Sequence, residues 1–260
     1  MVAMTRQASF LTRRTFLAGL GHGSLAIAVV SLVGCGPATA SVRPSVAAST
    51  PSPLPPETAP PSAATGAVTW ERVAFGWVSA YLLVRAGEVA VVDTGLIGSE
   101  GTIEAALTGI GLGWDAVGHV IFTHLHGDHA GSSDAVLTAA ADAVGYAGAA
   151  DVAGIVAPRP LTALADGDRV FDLRIISTPG HTAGHVAVLD EVGGILVAGD
   201  ALRTDAGQAI GPDADFSADM DEAVRSLAKL GELTFETLLV GHGDPIETGA
   251  SAQVAALAAG

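Results

Sequence analysis

Side chains able to bind a metal are concentrated in a few short segments of this sequence. One segment carries four of them within six residues, His124-Leu125-His126-Gly127-Asp128-His129. Residues i and i+2 of an extended chain share a face, so His124 and His126 can bind one ion together. Gly127 then permits a sharp turn, after which Asp128 and His129 can begin a helix and face a second ion. The segment therefore predicts ligands to two cations.

Three further candidate ligands each follow an apolar strand-like run and a glycine. His181 lies in the tight turn Thr178-Pro179-Gly180-His181, Asp200 follows Ala198-Gly199, and His242 follows Val240-Gly241. A glycine before a ligand lets the backbone approach the metal closely. We therefore expect strand ends to bring the seven side chains together.

Short β-rich runs and helical stretches alternate after Val68 and would position these ligands. Strands are predicted at 68–75, 78–84, 88–93, 120–122, 169–176, 185–189, 195–198 and 238–240. Helices are predicted at 101–107 and 217–230, the latter with an amphipathic pattern. Such an order indicates layered sheets with helices outside.

The first 34 residues have the composition of a targeting segment. Arg6, Arg13 and Arg14 precede an apolar run, and no acidic residue occurs before Cys35. The stretch 11–17 resembles a twin-arginine export signal, a route for folded proteins. The run ends in Leu-Val-Gly-Cys, which resembles a lipoprotein cleavage box with Cys35 as the lipid-bearing residue. An ordinary cleaved signal or an uncleaved anchor are the alternatives.

The composition divides the chain into a signal peptide (1–34), a tether (35–67) and a catalytic domain (68–260). The tether is rich in Pro, Ser and Ala and buries too little apolar surface to offset its ordering entropy, so disorder is predicted there. The protein is thus expected to be exported across a bacterial cytoplasmic membrane and to be lipid-anchored on its outer face. This anchor is the only membrane contact that we expect.

Charge and cysteine content exclude several classes of protein. The net charge is −15, with 27 acidic against 12 basic residues. Nucleic acid is not an expected partner, because phosphate binding needs clustered Lys and Arg. The single cysteine rules out an intramolecular disulfide. A small-molecule substrate is expected, and the sequence does not indicate an oligomeric state.

In their order, the motifs HLHGDH, TPGHTAGH, AGD and GHGD resemble those of the metallo-β-lactamase fold superfamily. The resemblance implies an α+β fold, a four-layered αβ/βα sandwich with the site at the edge between two sheets. It also implies that Asp93 supports the site and that Asp200 bridges two metals. The first metal would be held by His124, His126 and His181, and the second by Asp128, His129 and His242.

Two cations about 3.5–4 Å apart can activate a water and polarise a substrate oxygen, so this ligand set favours a hydrolase. Zinc is the expected metal, with manganese or iron as alternatives, and Asp128 is the expected catalytic residue that orients the nucleophile. Asp200 makes the chain more similar to glyoxalase II and acyl-homoserine lactonase than to β-lactamases proper, which generally lack a bridging Asp. A small ester, lactone or thioester is therefore the expected substrate.

Other functions on the same scaffold stay open. They are a β-lactamase, a hydrolase of a small phosphoester, an iron-dependent redox enzyme such as a persulfide dioxygenase or a diiron oxygen reductase, and a metal-binding surface lipoprotein without turnover. A diiron oxygen reductase usually carries Glu where this chain has His126. No appended substrate domain like that of glyoxalase II is expected after His242, and this expectation disfavours a specialised thioesterase. Gly76, Trp77 and the segment 207–216 are expected to shape the pocket, and His185 is expected either to pack structurally or to contact the substrate.

Overall fold

The computed structural model describes residues 66–260, so the predicted signal peptide, Cys35 and nearly all of the predicted tether lie outside the described residues. The first sheet contains β1 (Thr69–Ala74), β2 (Ser79–Arg85), β3 (Glu88–Val92), β4 (Val117–Phe122), β5 (Val144–Gly148) and β6 (Thr162–Leu164) in that order. The first three strands are antiparallel, and β3 to β6 are parallel.

The second sheet has the order β13-β10-β9-β8-β7. Its strands are β7 (Arg169–Val170), β8 (Leu173–Ser177), β9 (Val186–Asp190), β10 (Ile195–Val197) and β13 (Thr237–Leu239). A small hairpin joins β11 (Arg203–Asp205) to β12 (Gln208–Ile210). The helices are α1 (Glu100–Gly109), α2 (Ser133–Ala139), α3 (Met220–Gly231) and α4 (Ala250–Ala259).

Alternating side chains of each sheet pack into different apolar layers. On β3, Val89 and Val91 face α1 and α2, whereas Ala90 and Val92 pack against the second sheet. On β10, Leu196 packs on the far side of the second sheet, with α3 and α4. Two helical layers thus enclose two sheets, and the expected four-layered αβ/βα sandwich is confirmed.

Local structure departs from the sequence expectations at several points. The predicted strand 169–176 is two strands, because Phe171 and Asp172 have φ of 54° and 57° and form the turn between them. No helix begins at Asp128; the residues 127–129 form a turn, and α2 begins at Ser133. Helix α3 begins only at Met220, where the side chain of Asp219 accepts a hydrogen bond from Glu222 N and caps it.

Several short elements were not predicted from the sequence. They are α2, β5, β6, β11, β12 and α4. Among the helices of residues 66–260, none is long and apolar enough to cross a membrane.

Candidate metal centre

The ends of strands from both sheets place the seven candidate ligands at one edge of the sandwich. Strand β4 of the first sheet leads into His124, and β10 and β13 of the second sheet lead into Asp200 and His242. His181 lies in the loop between β8 and β9. Because β10 and β13 are parallel, their carboxyl ends meet at the same edge. The centre is therefore shared between the two sheets.

Three histidines form the first group, in which ring nitrogens converge. Nε2 of His124 lies 3.1 Å from Nδ1 of His126, and Nε2 of His181 lies 2.8 Å from that same Nδ1. His124 and His181 are buried, and His126 is half-buried. The three nitrogens can all be ligands to one cation.

The second group combines a carboxylate with two imidazoles. Oδ2 of Asp128 lies 3.4 Å from Nε2 of His242 and 3.6 Å from Nε2 of His129. The two Nε2 atoms are 3.4 Å apart. These three atoms form a second convergent set of the kind that holds a divalent ion.

The carboxylate of Asp200 lies between the two groups. Its Oδ2 is 3.4 Å from His181 Nε2 in the first group and 3.1 Å from His242 Nε2 in the second. Its Oδ1 is buried and makes no hydrogen bond, although His129 Nε2 lies 3.2 Å away. A buried carboxylate oxygen without a hydrogen bond is costly, and it is satisfied if a cation binds there.

Hydrogen bonds to the far nitrogens decide which ring nitrogens face the centre. The Thr123 hydroxyl donates to Asp93 Oδ2, so it can only accept from His124 Nδ1, and Nε2 of His124 carries the lone pair. His129 Nδ1 donates to Asp93 Oδ2, and His242 Nδ1 donates to the carbonyl of Trp77. The ring nitrogens that carry no hydrogen therefore face one another. Imidazoles oriented in this way fit a site for divalent cations.

Without metal, the nearby carboxylates stabilise protons on the two histidines of the second group. Burial would lower the pKa of His129, but the carboxylates of Asp200 and Asp93 outweigh it and raise that pKa well above its ordinary value. Burial is likewise outweighed at His242, where hydrogen bonds with Asp128 and Asp200 raise the pKa to about 9. Burial would raise the pKa of Asp200, yet the facing His129 keeps it well below its ordinary value.

Burial has the larger effect on the pKa of two histidines of the first group, His124 and His181. Desolvation lowers the pKa of His181 to about 4 and holds the pKa of His124 well below its ordinary value. These imidazoles are therefore neutral at pH 7. Neutral imidazole is the form that binds a metal.

Asp93 occupies a supporting position beside His129. Its backbone is left-handed, with φ of 65°, an uncommon conformation for a residue other than glycine. Its Oδ1 accepts the backbone N–H of Thr123, and its Oδ2 accepts from the Thr123 hydroxyl and from His129 Nδ1. This geometry agrees with the supporting role that the resemblance implies.

His185 is a buried positioning residue. Its Nδ1 donates to the Thr178 hydroxyl, and its Nε2 accepts the backbone N–H of Asp200 at 3.0 Å. Burial lowers the pKa of His185 to about 3, so the ring stays neutral and keeps this acceptor. The imidazole thus fixes the backbone of the carboxylate that lies between the two groups.

Asp151 is a supporting residue that the sequence analysis missed. It is buried, and its Oδ2 accepts from the backbone N–H of Leu125 at 3.0 Å and from the hydroxyl of Thr182 at 2.6 Å. Its Oδ1 accepts from the backbone N–H of Gly184 at 2.8 Å. One carboxylate therefore connects the loop of His124 and His126 to the loop of His181. The only sequence signal is its position three residues after the strand β5.

Gly241 shows why a glycine precedes a ligand. A Cβ at this position would lie 2.3 Å from Asp200 Oδ1 and 2.5 Å from Cε1 of His129. No other residue fits at this point without displacing both side chains.

Comparisons with known proteins agree with this geometry. The sequence profile described as the Metallo-beta-lactamase superfamily matches residues 74–242, a range that includes all seven candidate ligands. An uncharacterised protein of Bacillus subtilis, YobT, is 30% identical in an alignment over 196 residues that covers 64% of this chain and 83% of that protein. A hydroxyacylglutathione hydrolase of Rhodospirillum rubrum is 33% identical over 163 residues, covering 60% of this chain and 57% of that enzyme.

A solved structure shows the same fold. The metallo-beta-lactamase family protein TTHA1429 of Thermus thermophilus has a TM-score of 0.59 and 26% sequence identity, over 74% of this chain and 78% of that chain. The matched profile covers more than half of the chain, and the layered fold and the two groups of candidate ligands agree with it. The chain therefore belongs to the metallo-beta-lactamase superfamily of generally hydrolytic metalloenzymes.

Proposed function

We propose that this protein is a dinuclear metal-dependent hydrolase of a small ester, lactone or thioester. The position of Asp200 carries the proposal, because its carboxylate contacts histidines of both groups. His124, His126 and His181 would hold one cation, and Asp128, His129 and His242 would hold the other. Zinc suits this nitrogen-rich donor set.

Two bound cations would supply Lewis acidity toward a substrate carbonyl oxygen and would lower the pKa of water. The protein's own contribution at this step comes from Asp128. Hydrogen bonding from His242 and the charge of His129 outweigh burial and lower the pKa of Asp128, so the carboxylate is ionised at pH 7. Oδ2 of Asp128 can accept a hydrogen bond from the attacking water and orient it. Once it has taken that water's proton, the same carboxyl group can deliver it to the departing oxygen or sulfur.

Thioester hydrolysis is supported by the hydroxyacylglutathione hydrolase of Rhodospirillum rubrum, but the matched region spans only 57% of that enzyme. Ester and lactone hydrolysis need the same attack on a carbonyl carbon. The proposal therefore names a class of acyl substrate rather than the relative's own substrate.

Purified protein with measured metal content tests the proposal against a panel of a lactone, a thioester, an aryl ester, a phosphodiester and a β-lactam. We expect two zinc ions per chain and turnover of the acyl substrates. Bound redox iron with oxygen consumption would overturn hydrolysis, and turnover of the β-lactam or the phosphodiester alone would overturn the substrate class.

Asp200→Ala tests the bridging position. We expect turnover to fall by more than the roughly 10–100-fold that is typical of supporting residues, together with loss of metal. Asp205→Ala, at an exposed carboxylate on β11, is the matched control and should change neither. Full activity and two bound metals in Asp200→Ala would contradict the assignment.

A further inference from the structure

Three large, exposed apolar side chains lie on loops next to those that carry the candidate ligands. The first is Trp77, in the turn between β1 and β2. Its ring stacks on that of His242, with centroids 5.2 Å apart and an interplanar angle of 8°, yet 61% of the residue is exposed. An exposed aromatic face beside a ligand histidine can pack against a bound apolar group.

The segment 95–97 carries a second exposed apolar side chain, Ile97. It lies close to the turn of Trp77, because a Cβ at Gly95 would lie 2.5 Å from the ring of Phe75, two residues before Trp77. A Cβ at Gly131 would lie 2.6 Å from the backbone of Ile97 and 2.2 Å from that of Gly127. The segment therefore lies against the turn that carries Asp128, and Ile97 is 88% exposed.

Phe216 stands on the side of His181. The backbone N–H of Ala218 donates to the carbonyl of His181 at 3.2 Å, and that of Asp219 donates to the carbonyl of Gly180. Phe216 precedes these contacts by two residues and is 69% exposed. We call Trp77, Ile97 and Phe216 the apolar rim.

Cationic side chains near the centre are already paired. Arg72 donates to Asp244 at 2.8 Å and to the carbonyl of Gly243, the residue after His242. Arg203, three residues after Asp200, donates to Asp213 at 2.6 Å. Both guanidinium groups thus already have a carboxylate partner.

The other cations in residues 66–260 also have partners. Arg159 donates to backbone carbonyls, and the remaining Arg and Lys side chains pair with carboxylates: Arg85, Arg169, Arg174, Arg225 and Lys229. A substrate carboxylate is normally bound by a cationic donor. Within the described part of the chain, such a substrate would meet no unpaired Lys or Arg.

We propose that the substrate is an uncharged acyl compound whose apolar group packs against the apolar rim. This inference rests on the proposed function and deepens it. It separates this protein from an enzyme for glutathione thioesters, since glutathione carries two carboxylates. Each methylene of the substrate that the rim removes from water should increase the affinity of the substrate about threefold to fourfold.

Two matched sets of substrates test the proposal on the zinc-loaded protein. The first is a series of uncharged N-acetylcysteamine thioesters with acetyl, butyryl, hexanoyl and octanoyl groups. We expect kcat/KM to rise about threefold to fourfold per methylene until the rim is covered. The second pairs the hexanoyl thioester of N-acetylcysteamine with that of glutathione, and the uncharged member should be hydrolysed at least 10-fold faster in kcat/KM.

Substitutions in the apolar rim test whether these residues cause the preference for longer acyl chains. Ile97→Ala and Phe216→Ala should flatten the dependence on chain length, mainly through KM. Val192→Ala is the matched control, because Val192 is 69% exposed in the turn between β9 and β10, at the opposite end of β10 from Asp200. It should leave the dependence unchanged.

The outcomes distinguish this inference from the proposed function. Turnover that is independent of chain length, or that favours the glutathione thioester, would overturn the inference and leave the hydrolase intact. No turnover of any acyl substrate with two zinc ions bound would overturn both.

Discussion

Replacing Asp151 by Asn should loosen the connection between the two loops that carry the first group of histidines. The carboxylate accepts hydrogen bonds from two backbone N–H groups and one hydroxyl. In either orientation, the Asn amide places an NH₂ group against a buried backbone N–H. Hydrogen bonds to a charged group contribute about 1.5–3 kcal/mol each, so we expect the free energy of unfolding to fall by about 2–4 kcal/mol.

Loss of stability alone would not show that Asp151 positions ligands, so metal affinity is the decisive measurement. Supporting residues of metal sites typically contribute 10–100-fold to affinity, and we expect a loss in that range for Asp151→Asn. Competition with a chromophoric chelator measures the dissociation constant, and urea unfolding of the chelated protein measures stability.

Asp190→Asn is the matched control for this experiment. Asp190 is also buried and accepts from the backbone N–H groups of Val68 and Gly193 and from the Arg85 guanidinium, but it lies at the end of β9 away from the centre. Because the variant also loses the charge that faces Arg85, it should lose at least as much stability as Asp151→Asn and keep its metal affinity. Equal metal affinity in Asp151→Asn and the parent protein, or an equal loss in both variants, would refute the positioning role.

Further predictions concern the glycine, the protons and the lipid anchor. Gly241→Ala should reduce metal content and turnover together, because the added methyl group would overlap Asp200 and His129; retained turnover with full metal would contradict this packing argument. The chelated protein should lose stability in urea as the pH rises from about 6.5 through 9, because the raised pKa of His242 means that its proton stabilises the folded state below that range; a flat profile would contradict the charge arrangement. Cys35→Ser should release the protein from the membrane fraction and abolish its labelling by fatty acid, and unchanged fractionation would exclude lipid anchoring at this residue.

The candidate ligands could be named from the sequence because the spacing within each motif is local. Each motif joins a glycine to a donor at the end of an apolar run, and the parallel pairing of β10 with β13 brings Asp200 near His242. The sequence around Asp151 gives no such signal, because a single Asp after small residues is also common in loops that have no role in a metal site. Its role depends on contacts with residues 26 and 31–33 positions away.

Other differences have equally local causes. Helix α4 is rich in alanine and has only two buried side chains, Ala250 and Val254, so it lacks a clear apolar periodicity. The strand predicted at 169–176 is continuous in its pattern of apolar residues, and only the left-handed backbone of Phe171 and Asp172 divides it. Two of the pocket features named from the sequence lie near candidate ligands. Trp77 stacks on His242. The segment that ends at Phe216 precedes, by two residues, the backbone hydrogen bond from Ala218 to His181.

The distribution of the candidate metal ligands between the two sheets has a thermodynamic consequence. The first sheet supplies His124 and the turn after it, and the second supplies Asp200 and His242, so neither sheet alone presents a complete coordination sphere. A cation held by both would act as a cross-link between the halves of the sandwich. By linkage, each tenfold rise in free metal above the dissociation constant would add about 1.4 kcal/mol per site against separation of the sheets. Folding and metal acquisition would then be one coupled equilibrium.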